Sequence, residues 1–166
     1  MSDASNEANS SPGGTDEQRV VFAERVVAAP AAAVFELIAD PARQPEWDGN
    51  DNLAIADAGQ RVRAVGDVFT VTLTHDAGPR ENHVAEFAEG RLIAWRPSPV
   101  GAPKPGHLWR WELDPVDEGH TRVRHTYDWT ELTDETRLPR ARRTGADQLL
   151  ASIDRLAALA EGTPAP

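Results

Sequence analysis

The alternation of apolar and polar positions divides the chain into a strand, two short helices, a run of strands and a final helix. Residues 18–28 (QRVVFAERVVA) are dense in β-branched side chains and read as the first strand. At Ala29-Pro30 the period changes. Proline suits the first position of a helix, and Val34, Phe35 and Ile38 then share one face. Asp40-Pro41 and Gln44-Pro45 interrupt that pattern, so residues 41–47 form a second, separate helical turn ending at Trp47. A weak strand over 52–57 and stronger ones near 67–75, 82–88, 91–96, 107–113 and 121–130 follow, punctuated by loops rich in glycine and proline. Over 145–161, Leu149, Ile153, Leu156 and Ala160 make a stripe that Leu150 and Ala157 widen, and Gly162 stops it. Thr144 with Asp147 three positions later resembles a capping box. The pattern predicts an α+β fold of seven antiparallel strands, two short helices after the first strand and one long C-terminal helix.

Side chains alternate along a strand, so parity assigns the buried side. Phe69, Val71 and Leu73 oppose three threonines; Trp109, Trp111 and Leu113 oppose Leu108, Arg110 and Glu112; Val123, Tyr127 and Trp129 oppose Arg122, Arg124 and Asp128. Odd positions therefore face inward, and the even face is polar. Two hairpins give trial registers. One sets Leu73 opposite Ala85 and Val71 opposite Phe87; the other sets Trp109 opposite His125 and His107 opposite Tyr127. A single helix cannot fill the inner side of seven strands, so large side chains or a hollow must take the remainder. Trp95, Trp109, Trp111 and Trp129 on that side, with the small Ala85 among them, predict a cavity with aromatic walls.

Composition narrows the function classes. The 166 residues are one domain's worth, 40% hydrophobic, with no cysteine. Disulfides, thiolate metal sites, thiol nucleophiles and dithiol redox chemistry are excluded together. A net charge of −10 repels phosphate backbones and anionic lipid heads, so neither nucleic acid nor a membrane surface is an expected partner. No apolar run approaches the ~20 residues of a membrane span, and no secretory signal precedes the first strand. A cytoplasmic location is the expectation. Residues 1–17 read as a disordered tail, 18–162 as one domain and Thr163–Pro166 as a frayed end.

Histidine is the sharpest chemical signal. His75, His83, His107 and His125 all carry the inward parity, but the first three sit at strand ends. His125 is central, two residues from Tyr127. It reads either as a hydrogen-bonding group or general base with a pKa suited to neutral pH, or as a buried histidine satisfied by a carbonyl or by Tyr127. The histidines lie on different strands and no HExxH occurs, so no metal site and no cofactor are expected. Arg137, Arg140, Arg142 and Arg143 form a basic knot just before the long helix, whose N-terminal dipole disfavours cations. Phosphate-binding glycine loops and serine nucleophile elbows are missing from the sequence.

Ala29-Pro30-Ala-Ala-Ala-Val34-Phe35, Ile38-Ala-Asp40-Pro41 and Pro45-Glu46-Trp47 resemble the opening of the START-like, Bet v 1-like (SRPBCC) superfamily, in its bacterial polyketide cyclase/dehydrase branch. The likeness continues through Val65-Gly66-Asp67, Trp95-Arg96, Trp111-Glu-Leu-Asp-Pro115, Gly119-His-Thr121-Arg-Val123 and Asp154-Arg-Leu-Ala-Ala-Leu159, covering about 18–161. The resemblance implies a helix-grip fold, a curved antiparallel sheet wrapped around the C-terminal helix with an apolar cavity between. Members bind lipids, hormones or polyketides, a minority cyclise or dehydrate polyketides, and others co-regulate chaperones. No catalytic signature runs through the group. The resembled fold puts the arginine knot near the cavity mouth, where Arg140 and Arg143 would contact a ligand anion or an acidic carrier protein; a solvated linker balanced by Asp134 and Glu135 is the alternative. Trp47 would then lie near one end of the cavity, as a gate or as a plug between helices and sheet.

Three functional readings follow. The leading one is a non-catalytic binding protein for a hydrophobic or aromatic small molecule that is lipid-, polyketide- or hormone-like. It would be oriented by His125 and Tyr127 and lined by Phe69, Val71, Leu73, His83, Trp95, Trp109, Trp111, Trp129, Leu149 and Ile153. The second is a polyketide cyclase/dehydratase in which His125 removes a C–H proton and Tyr127 donates to the developing enolate. The third is a protein–protein adaptor, to which the polar outer parity offers no apolar patch.

Overall fold

The computed structural model describes residues 17–75 and 77–162; most of the expected N-terminal tail and the frayed end lie outside them. Seven strands form one antiparallel open sheet: β1 (Val20–Val27), β2 (Leu53–Ile55), β3 (Val68–Leu73), β4 (Pro79–Ala88), β5 (Leu92–Pro99), β6 (Leu108–Asp117) and β7 (His120–Asp128). Their spatial order is β1-β7-β6-β5-β4-β3-β2, a meander whose last strand pairs with the first. The helices are α1 (Ala31–Ala39), α2 (Gln44–Trp47), α3 (Leu138–Arg143) and α4 (Ala146–Ala160).

The segment between β1 and β2 is built to close the end of α1. A helix leaves its last carbonyls without partners. Here the Gln44 side-chain amide donates to the Ile38 carbonyl (3.2 Å) and the Trp47 indole N–H to that of Leu37 (2.8 Å). Asp40 caps the next turn by accepting from the Ala42 N–H (3.1 Å), with Pro41 at its first position. Both prolines expected to break the helix therefore start a new turn.

Helix α4 packs its Leu149, Ile153, Leu156 stripe against β1 and β7, and α1 and α2 flank it. Arg25 of β1 donates to Asp154 at 2.8 Å across that contact. Its start differs from the expected Thr144–Asp147 box. Gly145 is the N-cap, and its N–H is received by the Gln148 side chain (3.0 Å).

Four expectations need correction. The β3–β4 register sets Val71 opposite Arg80 and Phe69 opposite Asn82, not Val71 opposite Phe87. An irregularity between Val84 and Glu86 then shifts the phase, so Asn82 and Val84 are buried before it while Ala85 is exposed. In the β6–β7 hairpin Trp109 faces Tyr127 and Trp111 faces His125, a two-residue slip that keeps the parity. The outer face is not uniformly polar either. Val20, Phe22 and Val26 are exposed on β1, with the Arg124 guanidinium 3.8 Å over the Phe22 ring. Finally, the arginine knot is not a linker: residues 135–143 form a 3-10 turn followed by α3.

Candidate functional site

The registers just described stack aromatic pairs across β6 and β7. His125 lies flat on Trp111 at 3.7 Å between centroids, 11° from parallel, and Tyr127 lies 4.3 Å from Trp109. Trp47 closes the stack edge-on at 5.1 Å from Trp111, and Phe69 packs edge-on against Trp95 at 5.3 Å. Trp111 is fully buried and His125 nearly so. Both carry a polar atom without a partner among the described residues, Trp111 Nε1 and His125 Nδ1.

These rings wall an inner cavity of about 70 Å³ that Trp47, Trp95, Trp109, Trp111 and His125 share with Gln44, Asp48, Asn82 and Ser152. An outer cavity of about 140 Å³ adjoins it through a common wall of Asn52, Leu53, Val71, Asn82 and Trp109. Leu73, Arg80, His107, Tyr127, Leu132, Arg137, Arg140 and Ala141 line this outer part. A recess of about 390 Å³ adjoins both at Asn52 and Trp109 and is bordered by Arg140, Arg143, Thr144 and Gln148.

The expected site residues divide accordingly. Val71, Trp95, Trp109, Trp111 and His125 reach the inner cavity, Leu73 and Tyr127 the outer one, Arg140 both the outer cavity and the recess, and Arg143 the recess alone. Phe69, Leu149 and Ile153 are buried in the core instead, as packing partners behind the walls. Trp129 follows the end of β7 and belongs to a second core cluster with Leu132, Ala141 and Leu149, where Arg19 covers its ring at 4.7 Å. His83 is misplaced by the phase shift in β4. It alternates with the buried Asn82 and Val84, and its Nε2 lies 3.0 Å from Ser98 Oγ. His75 is exposed in a turn with φ +58°.

Sequence parity missed Arg80, Asn82, Asn52, Gln44, Asp48 and Ser152. The even-numbered pair of β4 was hidden by the bulge, and the others lie on a loop and helices that no strand period reaches. Asp48 organises that loop. Its carboxylate accepts from the main-chain N–H of Asn50 (3.1 Å), Asn52 (3.0 Å) and Leu53 (3.3 Å). The Asn52 side-chain nitrogen donates to the same carboxylate (2.7 Å), and its oxygen accepts from Arg140 (2.9 Å).

Electrostatics sort the titratable groups. Burial pushes His125 down to about 3, with a small opposing effect from the Leu149 main chain. Burial pushes His107 down to about 4, aided by Arg137, Arg140 and Arg96. Tyr127 is pushed up to about 12 by burial, against the pull of Arg140 and Arg137. Both histidines are therefore neutral at pH 7. The expectation of a His125 pKa matched to neutral pH is not met, because its ring is buried and stacked on Trp111.

A seven-stranded antiparallel sheet with a long C-terminal helix and an aromatic-walled cavity is the helix-grip architecture of START-like proteins. Residues 18–161 match the family described as polyketide cyclase / dehydrase and lipid transport, and the chain belongs to it. A START superfamily protein from Mycobacterium smegmatis superposes with a TM-score of 0.63 at 14% identity, covering 87% of this chain and 99% of that one. Protein MLL2253 from Mesorhizobium loti does so with a TM-score of 0.63 at 19% identity, over 89% and 100%. Uncharacterized protein Rv0088 of Mycobacterium tuberculosis is 31% identical over 105 residues, 62% of this chain and 44% of that protein. The chain thus spans less than half the length of the curated relative it matches. Among the described residues, no helix is long and apolar enough to cross a membrane.

Proposed function

We propose that this protein binds a small aromatic molecule bearing a polar oxygen, with its ring system across the adjoining inner and outer cavities. The carrying observation is that two stacked, cavity-lining residues, Trp111 and His125, each bury a polar atom, Nε1 and Nδ1, without a partner among the described residues. A buried polar atom left unpaired costs about 1–3 kcal/mol, so a ligand oxygen that accepts from the indole and donates to the imidazole recovers that cost. The inner cavity alone, about 70 Å³, is smaller than the ~150 Å³ that holds a benzene, so a ring system needs the adjoining outer cavity of about 140 Å³ as well.

The cyclase reading finds less support. A histidine whose conjugate acid has a pKa of about 3 is a weak base at pH 7. Its stacked position suits orienting a ligand more than abstracting a proton. Titration of the full chain with 1-naphthol and naphthalene, read by quenching of tryptophan fluorescence, tests the proposal. Both should bind saturably at one site. Trp111→Phe, which keeps a ring and removes the donor, should weaken 1-naphthol about three- to tenfold and leave naphthalene unchanged. Absence of saturable quenching would overturn the proposal.

A further inference from the structure

The outer cavity is cationic in a chain whose net charge is −10. Arg80, Arg137 and Arg140 line it together, from β4, the turn before α3 and α3 itself. Among the described residues the Arg80 guanidinium meets only carbonyls, those of Ala77 (3.0 Å) and Pro79 (3.1 Å), and Arg140 meets the Asn52 amide. Arg137 has a carboxylate, Asp134, at 3.3 Å. Elsewhere in the molecule arginines pair with acids as a rule: Arg25 with Asp154, Arg61 with Glu36 and Glu89, Arg110 with Glu86, Arg155 with Asp51. Among the described residues Arg63, Arg80, Arg91, Arg122, Arg140 and Arg143 have no such partner, and of these Arg80 and Arg140 line the cavity.

The cations also disturb each other. Burial and then the charges of Arg137 and Arg140 lower the Arg80 pKa, and the same two arginines help keep His107 neutral. Repulsion of this kind raises the free energy of the empty site and is relieved by a bound anion. The one carboxylate among the residues lining the two cavities, Asp48, is already engaged by three main-chain N–H groups and the Asn52 amide, so it leaves the Arg80 and Arg140 guanidinium forks uncompensated.

We infer that the ligand of this cavity is an aryl carboxylate whose ring also carries the inner oxygen, with that ring inward among Trp95, Trp109 and Trp111 and its carboxylate held between Arg80 and Arg140. Guanidinium and carboxylate match as planar forks, and charge-assisted hydrogen bonds are about twice as strong as neutral ones. The inference rests on the proposed ring site and adds the sign of the ligand's charge.

A matched pair of probes separates the two. 1-Naphthoate and its methyl ester share one ring system and differ in charge. On the full chain at low salt, 1-naphthoate should bind about tenfold more tightly than the ester, and added salt should shrink that advantage. In Arg80→Gln/Arg140→Gln the advantage should vanish, because the carboxylate loses its affinity while the ester, which carries no charge, loses far less. Equal affinity of the two probes in the unmodified protein, or a preference that survives the double substitution, would overturn the anion assignment and leave the ring site standing. Failure of both probes to bind would remove the ring site and the inference with it.

Discussion

His125 shows how one side chain can carry a signature on the stability of the whole protein. Its folded pKa of about 3, and that of His107 at about 4, lie below the ordinary histidine value of 6.5. Between those limits the unfolded chain binds protons that the native state refuses. Stability therefore rises with pH through the window, is fully present above about 6.5 and is lost on acidification. Each such histidine contributes a slope of about 1.4 kcal/mol per pH unit. The carboxylates that are lowered in the native state, among them Asp51, Glu89 and Asp134, act chiefly below their ordinary values of 4.5 or less. The interval from pH 6.5 to 4.5 thus belongs to buried histidine. Urea unfolding at steps of half a pH unit should show stability falling there, and His125→Phe should remove about half of the slope. An unchanged slope in that variant would mean that the imidazole is solvated.

At the scale of elements, the sequence was read well where a period repeats and badly where it changes. The stripe Leu149, Ile153, Leu156 located α4, and the odd positions of β3, β6 and β7 correctly named Val71, Trp109, Trp111 and Tyr127 as inward. Parity carries no information across a bulge. One extra residue near Ala85 reversed the earlier half of β4, which turned His83 away and brought Asn82 and Arg80 into the wall. Helix α3 was lost for a different reason. Its six residues, LPRARR, hold three apolar side chains and three arginines without an amphipathic period, yet Arg140, Arg142 and Arg143 occupy its last turn, where the dipole favours cations. Close approaches between elements were equally invisible. Gly106 has φ +119°, and a Cβ there would lie 2.1 Å from the Glu131 carbonyl oxygen. Gly106→Ala should destabilise by about 2 kcal/mol or more, and Ile153→Ala in α4 by about 2–5 kcal/mol; chemical denaturation measures both. A cost under 0.5 kcal/mol at Gly106 would show that the loop moves freely away from residue 131.

For the molecule as a whole, the question is whether the aromatic site can loosen independently of the fold. Two apolar clusters make up the core. One surrounds α1, Trp47, Trp95 and Trp111; the other surrounds Tyr127, Trp129, Leu132 and Leu149. Ala23 of β1 and Trp109 of β6 pack against both, and α4 supplies Ile153 and Leu156 to the first while giving Leu149 to the second. A boundary that runs through one helix and one tryptophan cannot open without exposing apolar surface on each side of it. Opening one cluster alone therefore sacrifices contacts of the other, and the chain should unfold in a single transition. Four of its five tryptophans, Trp47, Trp95, Trp109 and Trp111, line the inner cavity, while far-ultraviolet circular dichroism follows the sheet and α4. The two signals should give coincident urea midpoints. A saturating aromatic ligand should move both midpoints upward together, since binding to the native state alone adds about 2.7 kcal/mol at a hundredfold excess over Kd. A tryptophan transition that precedes the loss of ellipticity, and that ligand alone delays, would instead mean that the cavity is a separately melting unit whose walls assemble around what they bind.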